Sequence, residues 1–442
     1  DDRFVFADNA TLIGTIDGGL GTDTLDYSAY TTTPVIVDMQ AGTAMNITGS
    51  FNAIETLIGG QSNVIYGKSG NDTIIGGTGN DTLVGRGGDD LYIFNPGWGV
   101  DTVIEIAGEG DDTIDFTAVG SAITFNFNGQ TITITSGVNI VNHTGSGGFS
   151  NVENFIGGAG ADVFNLTGTQ NKVNLRGGLG NDTFVFEDNA TLDGAVNGEG
   201  GADTLSYAAY TTVVTVYLSN GSSFNISANA ANKITAVENL IGGSANDILT
   251  GDTANNVITG NGGNDTLAGG VGDDTFIFNV GWGVDTLTDA SGNDTVDFSS
   301  LTTNLNVVIG SIIVTDGLGN SLTHTGNDIE LLTLGSGDDI IEVSNGAATS
   351  VVIDASAGND TLNYSNLQSP IFVSLTSVGN TDGFNGTASG ITGFRNINVI
   401  VGGNGSDTLN GLNSGQWSVV NANTVNYIST NTLNIAGVET LV

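Results

Sequence analysis

Residues 67–93 read GKSGNDTII, GGTGNDTLV and GRGGDDLYI, three nonapeptides in succession with no spacer between them. The shared form is Gly-Gly-x-Gly-x-Asp-x-apolar-x, and close variants recur along the whole chain. The glycines let the backbone turn through positive φ, which a Cβ disfavours. The aspartate at the sixth position sets a hard anionic oxygen beside the carbonyls of that turn. The apolar residue at the eighth position begins a short strand and points inward. Such a unit couples a cation site to a fold within nine residues, and it predicts an all-β chain wound as a parallel β-roll.

Two dense arrays stand out. The first, residues 59–116, opens with a degenerate unit GGQSNVIY (59–66) and then carries Asp72, Asp81 and Asp90. It continues through PGWGVDTVI (96–104) and AGEGDDTID (107–115), which add Asp101 and Asp112. The second, residues 242–298, holds Asp247, Asn256, Asp265, Asp274, Asp285 and Asp294 in units such as GGSANDILT (242–250) and GGVGDDTFI (269–277). Single turns elsewhere place Asp23, Asp162, Asp182, Asp203, Asp339, Asp360 and Asp407 at sixth positions. Several of these follow one another at 20 or 21 residues, close to two nonapeptides. One coil of the solenoid is therefore expected to contain two nonapeptides.

A longer repeat overlies the short one. FVFADNATLIGTIDGGLGTDTLDYSAYTT (4–32) and FVFEDNATLDGAVNGEGGADTLSYAAYTT (184–212) agree at 19 of 29 positions. Residues 1–180 and 181–360 read as tandem copies of one long solenoid repeat, and 361–442 as an irregular solenoid remainder. Strands should be short, with Gly, Asn and Asp at the corners. Asn128-Gly129 within AITFNFNGQTITIT (122–135) signals an antiparallel hairpin, and LNVVIGSIIVT (305–315) repeats the signal. These hairpins are expected to project from the roll.

With two nonapeptides per coil, each turn stacks on the next but one, about 4.8 Å along the axis. Asp72, Asp90 and Asp112 should line one edge, with Asp81 and Asp101 on the other. In the second array Asp247, Asp265 and Asp285 share an edge opposite Asn256, Asp274 and Asp294. Carboxylates this close repel unless a cation lies between them. Ca²⁺ accepts six to eight oxygens in flexible geometry, whereas Mg²⁺ demands a tight octahedron and holds its waters, so calcium fits these turns better.

Composition agrees. Forty-seven acidic residues face seven basic ones, a formal charge of −40, while 38% of residues are hydrophobic. A core is available, so the charge reads as a ligand set rather than as a disordered acidic tail. Nucleic acid and anionic membrane are disfavoured partners, because both need basic patches. No apolar stretch is long enough to span a bilayer. The absence of cysteine fits an extracellular protein stabilised by metal. The opening DDRFVF matches the tail of a repeat and the closing GVETLV matches a lead-in such as IETLIGG (54–60), so a piece of a longer repetitive protein is expected.

The GGTGNDTLV-type arrays resemble the repeats-in-toxin, or haemolysin-type, calcium-binding repeats of bacterial secreted proteins. The resemblance implies a parallel β-roll with Ca²⁺ between stacked turns, ligand roles for the seventeen sixth-position aspartates named above, and export by a one-step type I route. Asn256 and the aspartate-free unit 59–66 depart from the pattern and imply weak or empty sites at those array ends. The long single-turn stretches are similar to the repetitive regions of large surface adhesins.

Other residues have plainer readings. Trp98 and Trp282, in duplicated Gly-Trp-Gly-Val-Asp strings, are expected to pack beside strands rather than to bind sugar. His143 and His324 are expected in turns. Tyr27, Tyr30, Tyr207 and Tyr210 should pack on the roll. No Cys nucleophile, Gly-x-Ser-x-Gly elbow or His-Glu-x-x-His occurs, so no enzyme site can be assembled from motifs. The expected function is a calcium-dependent structural segment of a secreted or cell-surface protein, acting as a rigid stalk or spacer. A self-assembling filament or surface-layer subunit, joined to copies of itself, is the alternative. An accessory module of a polysaccharide-modifying enzyme is a third, and ice binding through Thr73, Thr82, Thr102 and Thr113 a distant fourth.

Overall fold

The computed structural model describes residues 1–105, 110–129, 131–144, 151–227, 233–347, 349–412, 416–421, 424–428 and 432–442. The glycine-bearing start of the AGEGDDTID turn lies outside them. The chain forms two units: Asp1–Ala209 with Asn220–Val237, and Tyr210–Ser219 with Glu238–Val442. Among the described residues nearly every element is a short strand, and no helix is long and apolar enough to cross a membrane.

Within the first unit, Thr73–Ile75 pairs in parallel with Thr56–Ile58 on one side and Leu91–Ile93 on the other. The intervening strand Thr82–Val84 pairs instead with Val64–Tyr66 and Val100–Ile104. Successive nonapeptides thus feed two opposed sheets, and each strand stacks on the next but one. The second unit repeats the scheme: Thr266–Ala268 pairs with Ile248–Thr250 and Val284–Thr288, while Thr275–Ile277 pairs with Val257–Thr259 and Thr295–Asp297. The fold is the parallel β-roll that the nonapeptide period predicts, with two repeats per coil.

Three-residue strands leave one side chain facing in. That residue is the eighth of the nonapeptide: Ile74, Leu83, Tyr92, Val103 and Ile114 in the first array, and Leu249, Ile258, Leu267, Phe276, Leu287 and Val296 in the second, all buried. Parallel register places like positions over one another, so the core is a set of apolar ladders. Removing these side chains from water is the main favourable term holding the coils together. Trp98 fits the same core, edge-on to Phe94 and 5.0 Å from the Phe116 ring, and Trp282 repeats the arrangement with Phe278 and Phe298. Tyr27 and Tyr207 stack on Phe6 and Phe186, as packing residues should.

Two expectations need correction. The antiparallel segments do not project. Thr124–Phe127, Thr131–Ser136 and Asn139–Thr144 form a meander whose last strand pairs in parallel with Val100–Ile104 and whose first pairs in parallel with Val163–Leu166. The first and third strands of a meander run the same way, so three antiparallel strands slot into a parallel sheet without reversing it. Asn306–Ile309, Ile312–Thr315 and Ser321–His324 do the same in the second unit, as do Phe372–Val378, Phe384–Ala388 and Ile391–Ile397. The histidines are likewise not in turns. His143 lies opposite Val103 and His324 opposite Leu287, inside the core ladder. Each ring places Nδ1 against the carbonyl of that neighbour, at 3.1 and 3.2 Å.

Turn geometry explains the glycines. Gly99 and Gly283 sit at φ of +92°, and a Cβ on either would overlap the carbonyl oxygen of Gly79 or Gly263 in the adjacent coil. Gly281 also has positive φ, at +81°, yet a Cβ there meets nothing. Gly281→Ala should therefore cost only the left-handed backbone penalty of about 1–2 kcal/mol, whereas Gly283→Ala should cost distinctly more. Denaturant unfolding of the two variants in saturating calcium checks the difference; equal losses would mean that coil-to-coil clearance does not matter there.

Candidate metal centre

The sixth-position aspartates are brought together, in files running from coil to coil. In the first unit the backbone N–H of Asp72 donates to Asp90 Oδ1 at 2.8 Å, and that of Asp90 to Asp112 Oδ1 at 2.8 Å. On the opposite edge the N–H of Asp81 donates to Asp101 Oδ1. Single turns join the same kind of file: Asp162 to Asp182, and Asp182 to Asp203. In the second unit the links run Asp247 to Asp265 to Asp285, Asn256 to Asp274 to Asp294, and Asp339 to Asp360. Asp407 accepts the N–H of Ile371, and Asp23 that of Asp2. All seventeen aspartates are at most 2% exposed.

One carboxylate oxygen is thus occupied by a backbone donor, and the second decides what the site can do. In Asp23, Asp81, Asp90, Asp101 and Asp182, and in Asp265, Asp274, Asp285, Asp294, Asp339 and Asp360, Oδ2 is buried and accepts no hydrogen bond. A buried anionic oxygen without a partner is costly, so each calls for a positive charge. At three positions where a run begins, a donor in the same turn meets that need. Asp162, Asp247 and Asp407 accept the N–H four residues back, from Gly158, Gly243 and Gly403. Those three fit end-capping better than cation binding.

Two neutral stand-ins behave differently again. Asn63, from the aspartate-free unit, occupies the file next to Asp81, and its amide donates to Asp81 Oδ1 and to Gly76 O at 2.9 and 2.8 Å. Asn256 donates to Glu238 O at 2.9 Å. An amide N–H at those points supplies a positive pole without an ion. At Asp72 the substitute is a full charge: Lys68 Nζ lies 3.3 Å from Asp72 Oδ1 and 3.1 Å from Glu55 Oε1.

Sequence reasoning missed a second set of acids. Glu55, Glu153, Glu330 and Glu439 accept the N–H of Asp23, Asp112, Asp294 and Asp407 and so continue each file where no nonapeptide follows directly. Their signal was present: each is the Glu of an Ile/Val-Glu lead-in at 54–57, 152–155, 329–332 or 438–441. An outer file of fifth-position residues was also missed, in which Asp89, Asp111, Asn264, Asp273 and Asn293 donate N–H groups to the Oδ1 of Asn71, Asp89, Asn246, Asn255 and Asp273.

Burial shifts the inner carboxylates strongly. Loss of solvation raises Asp81 to about 6, Asp90 and Asp265 to about 7, and Asp101 and Asp285 to about 8, with neighbouring carboxylates adding to the rise in all but Asp81. A carboxyl whose pKa is raised on folding favours the folded state while protonated, and that contribution is lost as pH rises through the folded value. Calcium-depleted protein should therefore hold more β-structure at pH 5 than at pH 8. Calcium affinity should run the opposite way, weakening as pH falls from 8 to 5, because protons compete for the same oxygens. Far-UV circular dichroism and calcium titrations at both pH values test the pair, and a calcium-free fold indifferent to pH in this range would contradict it.

The family model of the RTX calcium-binding nonapeptide repeat (4 copies) matches residues 57–92, 241–276 and 392–414. No curated protein matches the chain. Among solved structures, that of the extracellular lipase LipA from Serratia marcescens is similar at 19% identity and a TM-score of 0.16, covering 60% of this chain. The chain spans only 38% of that lipase. Part of each dense array and the turn at Asp407 thus match the RTX calcium-binding nonapeptide repeat.

Proposed function

We propose that the chain is a calcium-dependent structural segment of a large secreted or cell-surface bacterial protein, serving as a rigid stalk or spacer. The supporting observation is the buried file of carboxylates, in which Asp81, Asp90, Asp101, Asp265, Asp274, Asp285 and Asp294 hold one oxygen against the neighbouring coil and leave the other unpaired. Calcium would be held by Asp81, Asp90, Asp101 and Asp182 in the first unit and by Asp265, Asp274, Asp285, Asp294, Asp339 and Asp360 in the second. Asp23, Asp72, Asp112 and Asp203 stand in the same files, and turn carbonyls would complete each shell. When bound, the ion supplies positive charge that cancels the repulsion between coils.

Binding and folding are then one event. With −40 of formal charge and little to offset it, the ion-free chain repels itself and stays expanded, a state suited to passage through a type I secretion pore. In calcium-rich surroundings each ion joins two coils, so neighbouring coils order together. The tandem copies at 1–180 and 181–360 and the remainder at 361–442 would add length in series. The ladders of the described residues are spent on packing and ligation, which favours a mechanical role over catalysis.

The reading predicts a calcium-driven transition from coil to β-structure by far-UV circular dichroism, reversed by EGTA. Sedimentation velocity in calcium should give one monomeric species. Retention of the same spectrum and melting temperature in excess EGTA would refute calcium dependence. Concentration-dependent growth into long polymers would refute the spacer role in favour of a filament.

A further inference from the structure

The aspartate files account for two carboxylates per contact, but at one place in each unit a third intrudes. In the first unit, oxygens of Asp90, Glu105 and Asp112 all lie within 4.8 Å of one another; in the second, those of Asp274, Asp289 and Asp294 do. Glu105 and Asp289 are not sixth-position residues. Each lies just past the strand that follows a Gly-Trp-Gly-Val-Asp turn, and the two are 184 residues apart, as are Asp90 and Asp274. We infer that these are two dedicated divalent-cation sites, one per unit, each built from three carboxylates and binding calcium more tightly than the ordinary stacks.

Several observations carry this. Asp90, Glu105, Asp112, Asp274 and Asp294 are at most 2% exposed and Asp289 is half-buried, so three acids of the first cluster and two of the second have little water to screen them. Asp90 Oδ2 accepts no hydrogen bond, nor does Oδ2 of Asp274, Asp289 or Asp294. The space is also kept open by backbone choice. A Cβ on Gly85 would overlap Glu105 Oε1 and Asp90 Oδ2, and one on Gly269 would overlap Asp274 Oδ2 and lie 2.5 Å from Asp289 Oδ1. The third acid differs between the units, Glu in one and Asp in the other, and stands seven residues before Asp112 but five before Asp294. A Glu on one loop and an Asp on its equivalent two residues shorter therefore deliver a carboxylate to the same spot.

The two sites are not identical. Tyr92 Oη donates to Glu105 Oε1, whereas the corresponding residue of the second unit is Phe276, which has no hydroxyl. Asp289 is instead steadied by the N–H of Gly270 at 3.0 Å. Calcium affinity follows the number of charged ligands and the rigidity of the site, and both favour these clusters over a two-carboxylate stack.

The inference rests on the calcium reading above, and the test separates their failures. Isothermal titration of the whole chain with Ca²⁺ should resolve two tight ions above a weaker class. Glu105→Gln and Asp289→Asn should each weaken one tight ion roughly tenfold or more, and the double variant both, while the far-UV spectrum in saturating calcium stays unchanged. Asp81→Asn should leave both tight ions in place. Wild-type isotherms from Glu105→Gln and Asp289→Asn would overturn this inference alone, whereas no calcium binding by the unaltered chain would overturn both readings. Tyr92→Phe keeps every carboxylate, and Phe276 shows that the ring alone suits this position. It should lose part of the tyrosine-sensitised emission of bound Tb³⁺, and undiminished emission would count against the first cluster.

Discussion

The contact on which this structure depends is a carboxylate split between two tasks. Along the files, one oxygen of an inner aspartate receives the backbone N–H of the adjacent coil, as Asp90, Asp101, Asp265 and Asp294 do, and this sets the register between coils. At Asp81, Asp90, Asp101, Asp265, Asp274, Asp285 and Asp294 the other faces a buried space with no donor. A hydrogen bond to a charged acceptor stabilises more than one between neutral groups, but only while the charge is kept. Keeping it in a buried file of like charges needs a cation. The interaction that aligns the coils thus also creates the buried charge that a bound ion would offset.

Everything else serves that file. Glycines carry the turn so close to its neighbour that Gly99 and Gly283 have no room for a side chain. Three-residue strands hold the turns at a fixed spacing, and their single inward residue builds the apolar ladder. Where an ion would be superfluous, the chain provides a substitute: an amide at Asn63 and Asn256, an ammonium at Lys68, or a backbone N–H at Asp162, Asp247 and Asp407. These substitutes sit toward the beginnings of runs. Further along those runs the second oxygen is left unpaired, as at Asp81, Asp90, Asp182, Asp265 and Asp274.

Much of this was legible from periodicity. A nine-residue period with an apolar eighth residue specifies which side chain faces inward, and Ile74, Leu83, Leu267 and Phe276 all do. Pairing each turn with the next but one follows from two opposed sheets, and the aspartate files obey it. What escaped was either non-periodic or remote. Asn63 belongs to a shortened unit, so counting positions hides its place beside Asp81. The meander at 372–397 lacks an Asn-Gly turn between strands, and its strands pair through irregular register. His143 and His324 look like turn residues because glycine follows within two positions, yet their strands turn them inward.

The nine-residue pattern dictates strand, turn and inward face, because those depend on backbone sterics and side-chain polarity within a few residues. It also names the acids able to ligate. Which of those acids is left with an unpaired oxygen depends on donors supplied by another coil, 18 to 22 residues away in the arrays. The convergence of Glu105 with Asp90 and Asp112 is of the same kind. It arises from stacking in three dimensions, where loop length and coil register bring together groups that no local pattern relates.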